Sequence, residues 1–198
     1  MGEQGVQTDV QKLKARIWIT RQNHIQAEKR NRFLEHYFHI VLALYALSSI
    51  AVSLYPITDS SSNVQKFLLP FSSIFTLSIS LLIFGFKFGE TAAKHRTCYL
   101  ELQKLELADF SDVSKVNEKY TDILGHHSNH TNADHMKTVI TNIFSDVQET
   151  RNSLGQNYVF TWFQRFKFGI LVIVWWLLMI IFFIGPFILF WFGVGLTF

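Results

Sequence analysis

The sequence predicts an all-α membrane protein: a transmembrane helical hairpin, cytoplasmic amphipathic helices and a C-terminal hydrophobic helix. Three observations predict it. Only 17% of the 198 residues are charged, against about 25% in an ordinary soluble domain. All acids and bases lie before Phe168, so the last 31 residues carry no charge. Three apolar runs, Phe38–Ile57, Phe67–Phe86 and Phe168–Phe198, each reach the roughly 20 helical residues that cross a bilayer core of about 30 Å.

The same arithmetic excludes several classes. A chain that is 16% aromatic and 49% hydrophobic is not disordered. One cysteine, Cys98, leaves no internal disulfide framework and no Cys-rich zinc site. A net charge of +3 is too small to argue for a nucleic-acid partner. Met1–Arg32 holds seven basic residues, acids and amides with no early apolar core, which is not a signal peptide.

The elements follow in order. Residues 1–37 form an N-terminal arm in which Val10, Leu13, Ile17 and Thr20 keep helical spacing, and Arg30–Tyr37 runs straight into the first span. Residues 38–88 form the hairpin, joined by the polar connector Thr58–Lys66. Arg21, Lys29, Arg30 and Arg32 precede it, and Lys87, Lys94 and Arg96 follow it. Positive flanks stay in the cytoplasm, which places the connector outside and both ends inside.

Residues 89–167 form the main cytoplasmic region. Phe88, Ala92, His95, Tyr99, Leu102 and Leu105 make one helical face, expected to continue from the second span. Asp109–Ser114 breaks the pattern with cap residues. Val113, Val116, Tyr120, Ile123 and Leu124 make a second face ending at Gly125, and Met136, Val139, Ile140, Ile143, Phe144 and Val147 a third. Tyr158–Phe166 is an aromatic approach to the membrane, with Arg165 and Lys167 placing its end inside. Such faces have little core of their own and are expected to pack on the arm and on other protomers.

The segment 168–198 would extend about 46 Å as one helix. It predicts a single tilted or kinked span, with Gly185-Pro186 as a natural break and a re-entrant tail as the alternative.

No catalytic set stands out: there is no phosphate-cradling glycine loop, HExxH or GxSxG pattern, so no enzyme activity and no cofactor is expected. His126, His127, His130 and His135 gather near Asp122 and Asp134. A continuous helix would align Asp122, His126, His130 and Asp134 as metal ligands, but Gly125 and Ser128-Asn129 interrupt it. The expectation is a polar turn in which His130 and Asp134 satisfy neighbouring groups. Cys98 beside His95 and Arg96 reads as packing. Asn129-His130-Thr131 matches a glycosylation pattern on the side expected to be cytoplasmic, where it stays silent.

Ser72, Thr76 and Ser80 lie at steps of four on the second span, with Ser73 beside them and Ser48, Ser49 and Ser53 on the first. Small hydroxyl residues let membrane helices approach and hydrogen-bond. The stripe is therefore either helix-packing or, after assembly, pore-lining. The third segment is expected to face lipid. Gly85 and Gly89 could aid a close crossing.

The order of these elements resembles the SLATT family, the two-transmembrane domains associated with SMODS nucleotidyltransferases and SLOG sensors in bacterial defence loci. The resemblance lies in Lys29-Arg30-Asn31-Arg32, the transmembrane pair, the helix from His95 and Arg96 through Tyr99 to Leu102, and the stretch from Tyr120 through Asn129 and His130 to Asp134. It covers Gln11 to Arg151, and the third segment departs from the two-span pattern. It implies an oligomeric effector that permeabilises or depolarises the inner membrane after a nucleotide or infection signal. Its implied partners are membrane lipid, further copies of the chain, and a nucleotide-sensing or nucleotidyltransferase protein of the same locus. The alternative is a non-conducting anchor or signalling adaptor. A transporter subunit is disfavoured because no charge sits mid-span.

Overall fold

The computed structural model describes residues 3–54, 62–144 and 162–195. Every regular element among them is a helix: α1 (Glu3–Leu54), α2 (Ser62–Phe86), α3 (Phe88–Glu106), α4 (Val113–His126), α5 (Asn132–Phe144) and α6 (Trp162–Gly195). Of the expected connector Thr58–Lys66, 58–61 lie outside the described residues and 62–66 already belong to α2. Of the aromatic approach Tyr158–Phe166, 158–161 lie outside and 162–166 belong to α6; Val147 also lies outside. The chain divides into two compact units. One combines Met1–Arg32 with Gly89–Trp162, and the other Phe33–Phe88 with Phe163–Phe198. They are called here the polar and the apolar unit.

In the polar unit, α1 buries Leu13, Ile17, Thr20, His24, Ala27 and Asn31. The steps of four and three between them draw one seam along the helix. Helix α3 answers with Ala92, His95, Cys98, Leu102 and Leu105. Cys98 takes the inward place that the sequence assigns to Tyr99, which is half-buried. Helix α4 starts at an Asp112 cap whose carboxylate accepts from the Lys115 amide at 3.1 Å, satisfying a donor the helix itself leaves orphaned. It runs one residue past Gly125. Leu13, Ile17, Cys98, Leu102, Leu105, Val116 and Tyr120 close the apolar end of this unit. Fully buried side chains such as Ile17 and Leu102 each contribute on the order of 2 kcal/mol.

Helix α3 does not continue from α2 as expected. Lys87 separates them with a φ of 45°, a left-handed conformation that ends a right-handed helix.

In the apolar unit, α2 runs antiparallel to α1: Ser49 meets Ser72, Tyr45 meets Phe75, and Phe38 stacks on Phe88. Helix α6 runs parallel to α1, since Phe33 packs on Trp175 and Trp176, Tyr37 donates to the Met179 carbonyl, and Tyr45 lies over Gly185. Val41, Tyr45, Val52, Ile79 and Leu189 are its core. The Gly185-Pro186 pair does not end the helix, which passes through it to Gly195. A Cβ on Gly185 would collide with the Tyr45 hydroxyl, so the glycine makes room for a neighbour. Among the described residues nothing lies within 4 Å of a Cβ built on Gly85, so no close crossing among the described helices of this chain uses it.

Most large apolar side chains of this unit face outward, Phe67 and Trp191 at 70% and 73% exposure among them. An apolar surface so extensive is not viable in water. Three stretches, one in α1, one from Leu69 onward and one in α6, are long and apolar enough to cross a membrane. The chain is an all-α membrane protein.

Candidate functional site

Two sets of polar side chains stand out, one in each unit. The first continues the α1 seam of the polar unit beyond Ile17, where the buried residues turn polar. Thr20 shares a hydrogen bond with the Tyr120 hydroxyl at 2.9 Å. One turn further, the Asn23 side-chain nitrogen donates to His130 Nε2 at 3.0 Å and lies 3.1 Å from His135 Nδ1. His24 and His95 face each other through their Nδ1 atoms at 3.0 Å, and the His24 ring meets His130 edge-on with centroids 5.6 Å apart. Arg30 then reaches Asp134 at 3.0 Å and donates to the Thr131 hydroxyl at 2.6 Å.

Asp134 holds the start of α5. Its carboxylate accepts from both the amide and the hydroxyl of Thr131, at 3.0 and 2.7 Å. It is only 2% exposed, so the Arg30 guanidinium and these donors replace the water it has lost. At the periphery Arg21 pairs with Glu106 at 3.1 Å and His127 with Glu101 at 2.9 Å.

Burial lowers the pKa of His24 to about 3, with His95, His130 and His127 adding to the shift. Burial is also the first cause of the lowered pKa of His95, His130 and His135. Among the described residues, His24 is buried with no partner for its Nε2, and Thr138 with none for its hydroxyl. Cys98 is fully buried, and burial pushes its thiol up to about 12. It is a packing residue, not an activated thiolate.

Of the residues singled out from sequence, His95, Tyr120, His130 and Asp134 converge in this polar core. Arg96 and Asn129 are exposed, and Tyr99 is half-buried. Among the described residues, no three His, Cys, Asp or Glu groups could hold a metal ion. His126 pairs with Asp122 on the exposed side of α4, away from His130. The polar turn at 127–131 is the arrangement expected.

The sequence reading missed Asn23, His24, Arg30 as a partner and Thr138, and it named His135 in the histidine cluster without its Asn23 partner. A signal for His24 exists: the spacing from Leu13 and Ile17 continues through Thr20, His24, Ala27 and Asn31, and polarity concealed it.

The second set lies on α2. Ser72 is fully buried and meets Ser49 at 2.6 Å, so within the chain it joins helices. Ser73 and Ser80 are exposed and Thr76 is half-buried. Ser73 and Thr76 donate to the carbonyls of Leu69 and Ser72, bonds that leave each hydroxyl oxygen able to accept.

A polar helical unit joined to an apolar one whose surface is made for lipid defines a helical membrane protein with a separate charged part. Its family is specific: the chain belongs to the SMODS and SLOG-associating 2TM effector domain family 5, whose model matches residues 6–192. The match covers α6, which the resemblance read from sequence left out. The family is a membrane effector domain associated with SMODS and SLOG partners. Comparison with curated proteins and with solved structures returns no match.

Proposed function

We propose that this chain is an oligomeric inner-membrane effector of a bacterial antiviral defence system, which permeabilises or depolarises the membrane after a nucleotide or infection signal. The polar unit then lies in the cytoplasm, where basic flanks hold it, within reach of a nucleotide-sensing or nucleotidyltransferase partner. No enzymatic step is part of this reading.

The observation that carries it is on α2. Ser73, Thr76 and Ser80 leave one face of the helix lined with hydroxyls that no neighbour in the chain covers completely. Their spacing of three and four puts them in one row. In an assembly that row offers water a hydroxyl at each turn, without the cost of a buried charge. Ser72 serves helix packing, and the uniformly apolar α6 braces the assembly against lipid, since a wall of its kind would dewet.

Conductance of the reconstituted chain tests it. The double variant Thr76→Leu, Ser80→Leu is expected to assemble normally and conduct less, whereas Phe183→Leu on α6 leaves conductance near wild type. In cells, a membrane-potential dye is expected to report depolarisation on triggering. Growth arrest with the potential intact would favour the anchor or adaptor reading.

A further inference from the structure

We propose that Asn23, His24, His95, His130 and His135 form a proton-operated latch that closes the polar unit when their rings are neutral and releases α5 from α1 and α3 on acidification. The inference goes beyond the conduction reading and does not depend on it.

Hydrogen-bond accounting carries it. Asn23 Nδ2 is a donor only, and it faces His130 Nε2 at 3.0 Å and His135 Nδ1 at 3.1 Å. His130 Nε2, which meets the amide nitrogen alone, must therefore present a lone pair, whereas His135 Nδ1 also lies 3.4 Å from Asn23 Oδ1 and can accept from the one or donate to the other. His24 and His95 meet Nδ1 to Nδ1, so one of these two nitrogens is also bare. At least two of the four rings, His130 and one of His24 and His95, must be neutral for the contacts to exist. His24 Nε2 is buried with no acceptor among the described residues, so a proton placed there would be left unsolvated by them.

The surrounding charges compensate only in part: Asp134 favours a proton on His95 and His130, but burial outweighs it. On α1, Arg30 faces the cluster with a positive charge, and the Asp134 carboxylate of α5 is already engaged by it. At the end of α4, His127 adds another base, and Glu101 of α3 is held by it at 2.9 Å. Glu106 of α3 is engaged by Arg21 of α1. Each proton entering the cluster therefore adds charge beside Arg30 that the already paired Asp134 offsets only in part.

The direction follows. Rings whose pKa is lowered in the folded state bind fewer protons than in the unfolded one. They stabilise the unit above the ordinary histidine range and withdraw that stability as pH falls below about 6.5.

The only thiol of the chain reports opening, because Cys98 is fully buried in this unit. In the full chain in detergent micelles, 4,4′-dithiodipyridine labels Cys98 at a rate that can be divided by the rate for urea-denatured chain at the same pH. This ratio is expected to rise by about tenfold or more per unit as pH drops from about 6.5 to 5, the change one linked proton produces. In Asn23→Asp the new carboxylate accepts from protonated His130 and His135, and the rise is expected to vanish or reverse. A flat wild-type ratio, or a variant ratio that climbs as the wild type does, overturns the proposal. Should the variant leave Cys98 open at neutral pH, ring titration of the wild-type histidines by NMR decides. A His130 ring and at least one of the His24 and His95 rings that stay neutral until Cys98 protection is lost support the latch. Rings that protonate near pH 6.5, about the free value, with Cys98 still protected refute it.

Discussion

Thr20 and Tyr120 join their hydroxyls at 2.9 Å across a separation of 100 positions in the chain. The pair marks the level at which the polar unit changes from an apolar core to a polar one. Leu13 and Ile17 lie before it on α1, and Asn23 and His24 after it. Removing one partner strands the other away from water, which costs more than the bond itself contributes. Tyr120→Phe is therefore expected to destabilise the polar unit by about 1–2 kcal/mol. The double variant Thr20→Val, Tyr120→Phe should lose less than the two single losses added together. Thermal unfolding followed by circular dichroism in detergent checks both, and strict additivity would contradict the pairing.

The ion pair of Arg30 and Asp134 makes a stronger demand. Asp134→Ala leaves a guanidinium without its carboxylate and removes the acceptor for the Thr131 amide and hydroxyl. A loss of about 3–5 kcal/mol is expected, whereas Asp134→Asn, which keeps the shape and one acceptor oxygen, should lose about half of that. Hydrogen exchange at the start of α5 locates the effect. Protection there that survives Asp134→Ala would contradict the assignment.

These two relationships also show how far the sequence could be read. The helical class, the three apolar runs and the capped start of α4 follow from composition, length and local hydrogen bonding, which are properties of single segments. The burial of His24 and Asn23 does not, because it depends on α3 and α5 presenting polar partners to them. An imidazole at a seam position reads as surface until a second imidazole faces it. The substitution of Cys98 for Tyr99 at the α3 seam is a similar case: both lie near the face, and the approach of α1 selects the smaller. The break at Lys87 was invisible because lysine is an ordinary helix former.

Gly185 gives a prediction within the apolar unit. Gly185→Ala drives a methyl group into the Tyr45 hydroxyl, and overpacking of this kind costs about 1–3 kcal/mol. Tyr45→Phe removes the colliding oxygen but leaves a ring carbon at 3.0 Å, so the double variant should recover stability only in part. Retention of fold on heating in micelles measures this. A Gly185→Ala chain as stable as wild type would mean that α6 does not lie against Tyr45.

The two roles of hydroxyls on α2 separate by substitution. Ser72→Ala removes one bond to Ser49, and such bonds between membrane helices average about 0.6 kcal/mol, so little change is expected. Ser72→Leu places a branched side chain in a fully buried site and should disrupt α1–α2 packing. The same leucine at Ser80, which is exposed, should leave the fold intact. Equal tolerance at both positions in a stability assay in micelles would argue against the α1–α2 contact.

Lys87 has a consequence for mutational tolerance. Two residues apart on an unbroken helix, Phe86 and Phe88 would point roughly 200° from one another. Here they stack with centroids 5.4 Å apart, and Phe88 stacks in turn on Phe38. The reversed dihedral at the residue between them makes that possible, at a cost of about 1–2 kcal/mol for a side chain with a Cβ. A saturation library should therefore rank position 87 in an order opposite to its membrane neighbours. Glycine and asparagine would be enriched there, while valine and isoleucine, acceptable almost anywhere else along α2, would be depleted.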